Sequence, residues 1–230
     1  MRQSWKSFSC FSTLSRKTME EFEKYGSIEI YKKGEIIFRA KEELEYVYFQ
    51  VSGKSMIYNL THHGKRKILF IFGKEALLNE HVMNSHYASF YCETIEKSKI
   101  LKIPASCFVG CMKEDFALVQ MVLENQERKI WRLGHQLKNT MGSIYMERKL
   151  AAKLWKLSRD FGVETEDGIL IDMSLSVTFL ADMMGAPRET TSKTCKMLVD
   201  YGLISMNRKK ITVVDPERMA KFYKTGEISM

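Results

Sequence analysis

The residues most able to do chemistry lie between 187 and 210. Pro187 is followed by Arg188-Glu189-Thr190-Thr191-Ser192-Lys193, with Lys196 one turn further on. Ser176 could cap a first helix, Gly185 could end it in a left-handed turn, and Pro187 suits the first turn of a second helix that stops at Gly202. Two short helices joined by a tight Gly-Ala-Pro turn make a helix-turn-helix, whose second helix enters the DNA major groove with its N-terminal end. Arg188 suits the O6 and N7 of guanine, Glu189 a cytosine amino group and Thr190 a thymine methyl. The hydroxyls of Thr191 and Ser192, with Lys196, suit phosphates, which position the protein without specifying sequence. Asn207-Arg208-Lys209-Lys210 sits between Leu203-Ile204 and Ile211-Val214 as a basic hairpin tip, a wing for the DNA backbone.

A second set of residues suits a small molecule. Tyr48, Tyr58, Phe70, Phe72, Tyr87, Phe90 and Tyr91 crowd one β-rich region, and Lys129, Trp131 and Arg132 lie on a helix that follows it. Aromatic walls with a few cations suit a hydrophobic or aromatic organic anion. For any single ring, packing as barrel core is the simpler account.

Other constellations are weaker. Cys107 and Cys111 are four apart on one helical face, which suits a thiol pair or two small buried hydrophobes. Cys10, Cys92 and Cys195 add no iron–sulfur spacing. His62-His63 and the pair His81 and His86 lack the spacing of a barrel metalloenzyme, so neither a metal nor a cofactor is expected. No nucleophile triad or phosphate loop appears, and the chain does not read as an enzyme.

The elements that must position these groups follow from periodicity. Residues 1–26 read as helical and peripheral, with Thr18 capping Met19–Tyr25 and Gly26 ending the helix. Short aromatic and β-branched runs at 28–31, 36–38, 46–51, 55–58, 68–72, 88–92 and 98–103 read as an antiparallel sandwich or barrel. Helix follows from Pro104. There Leu123, Ile130, Leu137 and Ile144 recur every seven residues, with Val119 and Leu133 alongside and Gln126 and Thr140 interrupting. Such a stripe suits pairing with a second copy or packing on its own barrel. Leu150, Leu154 and Leu157 mark another helix. Gly162–Gly168 reads as an acidic loop and 169–171 as a short strand, and the second helix of the turn motif buries Thr194 or Cys195, Leu198 and Val199.

Composition sets the outer bounds. The 230 residues carry 36 Lys+Arg against 28 Asp+Glu, a net charge of +8. Residues 1–141 hold 22 basic and 16 acidic residues, so most of the excess lies outside the helix-turn-helix half, while 188–210 holds six basic against two acidic. Apolar runs of about eight residues are far short of the ~20 that span a bilayer, and no leader opens the chain, so a cytoplasmic protein is expected, with reduced cysteines and no membrane partner.

Leu180-Ala181-Asp182-Met183-Met184-Gly185-Ala186-Pro187-Arg188-Glu189-Thr190-Thr191-Ser192-Lys193, then Leu198 and Gly202-Leu203-Ile204, resembles the winged helix-turn-helix of the CRP/FNR family of bacterial transcription regulators. Lys33–Phe38 and Tyr48–Lys54 are similar to the opening strands of that family's effector-binding β-roll. The resemblance implies an α+β fold: an antiparallel, jelly-roll-like β-roll sensor domain at 1–112, a dimerisation helix at 113–141 and a winged helix-turn-helix at 142–230. It implies a homodimer joined through Val119, Leu123, Ile130, Leu133 and Leu137, a palindromic operator in double-stranded DNA, and RNA polymerase as a further partner. Base reading falls on Arg188, Glu189 and Ser192. Lys193 stands where the family usually has Arg and cannot make the forked contact of a guanidinium. Arg208, Lys209 and Lys210 form the wing.

The cyclic-nucleotide branch has a Gly-Glu-Leu segment and an Arg-Ser pair. These positions align with Glu75-Ala76-Leu77 and His86-Tyr87, which argues against cyclic AMP as effector. Tyr58, Phe70, Phe72, His86, Tyr87, Phe90 and Lys129 then become the effector residues, in a chain similar to the CprK-type regulators, which sense halogenated aromatic acids. The rival readings are a haem or redox sensor of the same fold, and a cupin-like barrel enzyme with a helical appendage.

Overall fold

β-Branched and aromatic runs between Ser27 and Pro104 form two antiparallel sheets in a computed structural model that describes residues 4–83, 87–138 and 145–228. One sheet orders β1 (Ser27–Tyr31), β7 (Ser98–Pro104) and β3 (Tyr46–Ser52); the other orders β2 (Ile36–Phe38), β6 (Tyr91–Thr94), β4 (Ser55–Leu60) and β5 (Arg66–Phe72). The period-2 alternation of strands separates two cores. Tyr48 and Ile100 meet Phe38, Ile57, Phe70, Phe72 and Cys92 of the second sheet. Val47, Phe49, Val51, Leu101 and Ile103 point the other way, onto a helical layer.

That layer contains α1 (Arg16–Tyr25), α2 (Ala105–Glu114) and the first turns of α3 (Phe116–Lys138). The N-terminal segment is not peripheral, contrary to its sequence reading. Short 3₁₀ turns at Ser4–Ser7 and Ser9–Phe11 bury Trp5, Phe8 and Phe11 against Phe22, Phe49 and Phe108. Phe11 meets Phe49 edge to face at 5.1 Å, and Phe22 stacks on Phe108 at 5.5 Å. The α1 cap is Ser15, three residues before the expected one. Its hydroxyl accepts from the Thr18 amide, while the Thr18 hydroxyl turns inward. β6 begins at Tyr91 rather than at residue 88, because the amide and carbonyl of Ala88 are taken by Glu42 and Lys41.

The chain divides into two compact units, one of 1–63 and 68–134, the other of 64–67 and 135–230. The second unit contains α4 (Met146–Phe161), which buries Leu150, Leu154 and Leu157. Its sheet orders β10 (Ile204–Asn207), β11 (Lys210–Val213), β9 (Gly168–Ile171) and β8 (Gly162–Thr165). The acidic stretch read as a loop is largely this hairpin. Gly162 pairs with Ile171 and Thr165 with Gly168, leaving Glu166 and Asp167 as the turn. The unit also holds α5 (Val177–Met184), α6 (Arg188–Asp200) and α7 (Pro216–Thr225), and among the described residues no helix is long and apolar enough to cross a membrane.

Candidate functional site

The turn between α5 and α6 is built by local chemistry. Ser176 Oγ accepts a 3.1 Å bond from the Phe179 amide and starts α5. Gly185, at φ +66°, ends it, and its amide returns to the Ala181 carbonyl at 2.8 Å. A residue with a Cβ would be strained at that angle. Pro187 stays extended at ψ 145° and is the boundary residue of α6 rather than its first helical one. Leu180, Ala181 and Met183 of α5 and Thr194, Cys195 and Leu198 of α6 are buried, which fixes the α6 face that looks outward. Val199, expected in the core, is 39% exposed.

Arg188, Glu189, Ser192, Lys193 and Lys196 are all exposed and recur at helical spacing, so they share one face of α6. Thr190 is exposed on the flank of that face. Thr191 is a correction: it is 1% exposed and its hydroxyl donates to the Pro187 carbonyl at 3.1 Å, so it serves the turn and offers no phosphate contact. The first amides of α6 add a partial positive charge at the same end, suited to a phosphate. The wing is a two-residue hairpin in which Asn207 pairs with Lys210. Arg208 holds φ +55° at its tip, and Arg208, Lys209 and Lys210 are exposed. Lys210 Nζ lies 3.8 Å from Asp172. Cationic side chains on a helix face and a hairpin tip within one unit can grip a duplex backbone while Arg188 and Glu189 reach base edges.

In the first unit the expected effector residues divide. Phe70 and Phe72 share the inner face of β5, with the Arg132 guanidinium 5.4 Å from the first ring and Lys129 Nζ 5.6 Å from the second. Tyr58 does not join them. Strand alternation puts it on the sheet face opposite Ile57, where it stacks on Tyr91 at 5.2 Å and its hydroxyl donates to Glu93. Phe90 is half-buried, Tyr87 is 59% exposed, and His86 lies outside the described residues. The Glu75 carboxylate accepts from the amide and hydroxyl of Ser9.

Sequence reasoning missed the polar residues at the edge of this site. Asn79 is buried, with Oδ1 accepting from the Tyr48 amide and Nδ2 donating to the Tyr46 carbonyl. Glu80 accepts from the Ser89 amide through Oε1, while its Oε2 is buried without a hydrogen-bond partner among the described residues. Lys129 Nζ donates to the Asn79 carbonyl at 2.6 Å, and burial pulls its pKa down to about 8. The sequence offered only the position of Asn79 at the end of the apolar run Ala76-Leu77-Leu78, which does not reveal its role. A separate cavity of about 210 Å³ is lined by Leu44, Tyr46, Val47, Asn79, Val82 and Ser106 among others, and by none of the expected effector residues among those described.

The cysteines are poorly suited to redox sensing. Burial pushes the Cys111 thiol up to about 12 and raises Cys107 as well, so thiolate is scarce at neutral pH.

On α3, Leu123, Ile130, Leu133 and Leu137 are exposed, and so is Phe116, seven residues before Leu123 and absent from the sequence reading. Val119 is only half exposed and packs against the N-terminal core. Ile144 and Thr140 lie outside the described residues.

Comparison with known proteins matches residues 28–115 to the cyclic nucleotide-binding domain and residues 148–222 to the Crp-like helix-turn-helix domain. A global nitrogen regulator from Nostoc sp. is 26% identical over 200 residues, covering 84% of this chain and 88% of that one. A CRP-like cAMP-activated global transcriptional regulator from Mycobacterium tuberculosis is 21% identical over 190 residues, covering 82% and 84%. Among solved structures, a mutant of CooA from Carboxydothermus hydrogenoformans is similar with a TM-score of 0.74 at 18% identity, covering 95% of this chain and 93% of that one. CprK complexed with OCPA gives 0.63 at 18%, covering 89% and 94%. Both matched domains occur in family order, and the helix-turn-helix is complete in its cap, glycine turn and exposed face; the chain belongs to the CRP/FNR family of transcription regulators.

Proposed function

We propose that this chain is a homodimeric, sequence-specific regulator in which the β-roll sensor domain and the dimerisation helix α3 control the winged helix-turn-helix of the second unit. The observation that carries the reading is the single exposed face of Arg188, Glu189, Ser192, Lys193 and Lys196, with Arg208, Lys209 and Lys210 in the same unit. Arg188 and Glu189 read bases, Ser192 and Lys193 refine the half-site, and Lys196 with the wing holds phosphates. The stripe of Phe116, Leu123, Ile130 and Leu137 pairs with that of a second copy, as heptad spacing favours. A twofold dimer calls for a palindromic operator with half-sites about 34 Å apart, and RNA polymerase is its partner at promoters.

The effector is an organic anion, hydrophobic or aromatic, and not cyclic AMP. Phe70 and Phe72 supply the aromatic wall and Lys129 and Arg132 the cations. Glu75, at the aligned position of the nucleotide cassette, is spent on Ser9. The effector acts by population shift. Binding beside α3 changes how the two α3 helices pack, and with it the spacing of the two α6 helices, through a coupling of about 1–3 kcal/mol.

The deciding experiment is selection of random duplex DNA by the purified protein, followed by Arg188→Ala and Glu189→Ala. A palindromic consensus that both variants lose while remaining folded supports the reading. Wild-type binding by the two variants would place base reading elsewhere.

A further inference from the structure

The apolar repeat of α3 has a polar break that pairing with a second copy leaves unaccounted for. Val119 and Leu133 occupy one heptad position, and Gln126 stands between them. Gln126 Nε2 donates to the Glu80 carbonyl at 3.2 Å. One turn later Lys129 Nζ donates to the Asn79 carbonyl at 2.6 Å. Two α3 side chains thus hold two consecutive carbonyls of one segment. That segment is itself pinned to β3, because the Asn79 amide group bonds both Tyr46 and Tyr48.

The grip is uneven. The Lys129 ammonium is desolvated and rests on a carbonyl dipole over the Phe72 ring, while Glu80 and the Cys92 thiol face it from the barrel. An ion pair with an incoming anion is stronger than a bond to a neutral carbonyl. Ile130, next to Lys129, belongs to the exposed stripe, so a change at 126 and 129 turns that stripe about the α3 axis.

We infer that Gln126 and Lys129 are positioning residues that latch α3 to its own barrel at Asn79 and Glu80, and that the anionic group of the effector opens this latch by taking Lys129. This inference rests on the regulator reading above. It makes Gln126 a barrel contact rather than a register residue of the dimer.

The test uses the full chain, free of added ligand, with the DNA that wild type selects. Gln126→Leu and Lys129→Met should bind that DNA at least about fivefold more tightly than wild type, the lower end of ordinary allosteric coupling. Lys129→Arg, which keeps the charge and the donor, should stay near wild type. Hydrogen exchange in 76–82 and in 118–133 should rise together in both latch-breaking variants. Benzoate, used as a probe anion, should raise exchange in the same two segments of wild type and add nothing in Lys129→Met; no response to benzoate or to inorganic phosphate would overturn the effector half.

Folded variants with unchanged exchange, or with DNA affinity no higher than wild type, would overturn the latch. A changed oligomeric state in Gln126→Leu with Lys129→Met unaffected would overturn it in favour of a dimer-register role. Should Lys129→Met fail to fold, Gln126→Leu decides alone. If wild type selects no DNA, the regulator reading fails and the exchange measurements still decide the latch. If Arg188→Ala loses DNA while the latch variants match wild type, the latch fails and the regulator reading stands.

Discussion

Thr18 Oγ1 donates a 2.7 Å hydrogen bond to Asp115 Oδ2 across 97 positions of sequence. The same carboxylate accepts from the Ser15 amide at 2.8 Å, and its other oxygen accepts from the Ala117 amide at 3.1 Å. One buried side chain therefore joins the start of α1 to the α2–α3 junction and caps the first turn of α3. Burial works to raise the pKa of Asp115, but the bonds from Thr18, Ser15 and Ala117 outweigh it and hold the group below its ordinary value. Asp115→Ala should cost about 1–3 kcal/mol at neutral pH, since it strands buried donors. A carboxylate with a lowered folded pKa stabilises above its unfolded pKa and loses that contribution as pH falls through the folded value. Denaturant unfolding at pH 7 and pH 3 should therefore show the gap between wild type and variant closing in acid. An undiminished gap at pH 3 would show that packing, not charge, sets the cost.

The wing tip trades stability for contact. Arg208 sits at φ +55°, a left-handed conformation that favours glycine. Arg208→Gly should leave stability unchanged or raise it by up to about 1 kcal/mol, because the Cβ strain goes while the unfolded chain gains freedom. Its DNA affinity should fall, and the salt dependence should lose close to one phosphate contact, a slope change of about 0.9. Equal salt slopes in the two proteins would remove Arg208 from the interface.

What the sequence made legible was local. Ser176, Gly185, Pro187 and Gly202 announce the helix-turn-helix because each acts on its own backbone, and strand edges at 27–31 and 98–104 follow from β-branched runs. Side-chain direction was less legible. Thr191 and Ser192 are adjacent and alike, yet only burial of the α6 inner face tells that one hydroxyl turns to Pro187. Tyr58 and Phe70 are both buried aromatics, and which sheet face each occupies depends on register. The role of Asn79 was invisible, because its partners Tyr46, Tyr48 and Lys129 lie from 31 to 50 positions away. Trp5, Phe8 and Phe11 looked peripheral because so short an apolar segment has no periodicity of its own. They are buried by Phe22, Phe49 and Phe108, which the fold brings to them.

Lys193 supplies a specificity test. It is exposed on the same α6 face as Glu189 and Lys196. An ammonium is a point charge, whereas a guanidinium forks onto guanine O6 and N7. Lys193→Arg should sharpen the selected consensus toward guanine at one position of each half-site, by about 1–3 kcal/mol against other bases. Arg188→Ala should instead relax a different position. Identical consensus sequences from wild type and Lys193→Arg would exclude Lys193 from base reading.

Lys129 gives the pH dependence of the sensor unit. Its pKa falls to about 8 because burial disfavours the ammonium, although Glu80 and Cys92 oppose the fall. A lysine with a lowered folded pKa burdens the fold while it is charged in both states. That burden is fully present below pH 8 and lifts as pH rises from about 8 toward the ordinary value. Lys129→Met, which removes the charge and keeps the length, should therefore melt at a higher temperature than wild type at pH 7, and the difference should shrink between pH 8 and pH 10. Calorimetry at pH 7, 8.5 and 10 reads this directly. A constant difference across that range would mean that burial does not govern Lys129, and that its bond to the Asn79 carbonyl carries no desolvation cost for an anion to relieve.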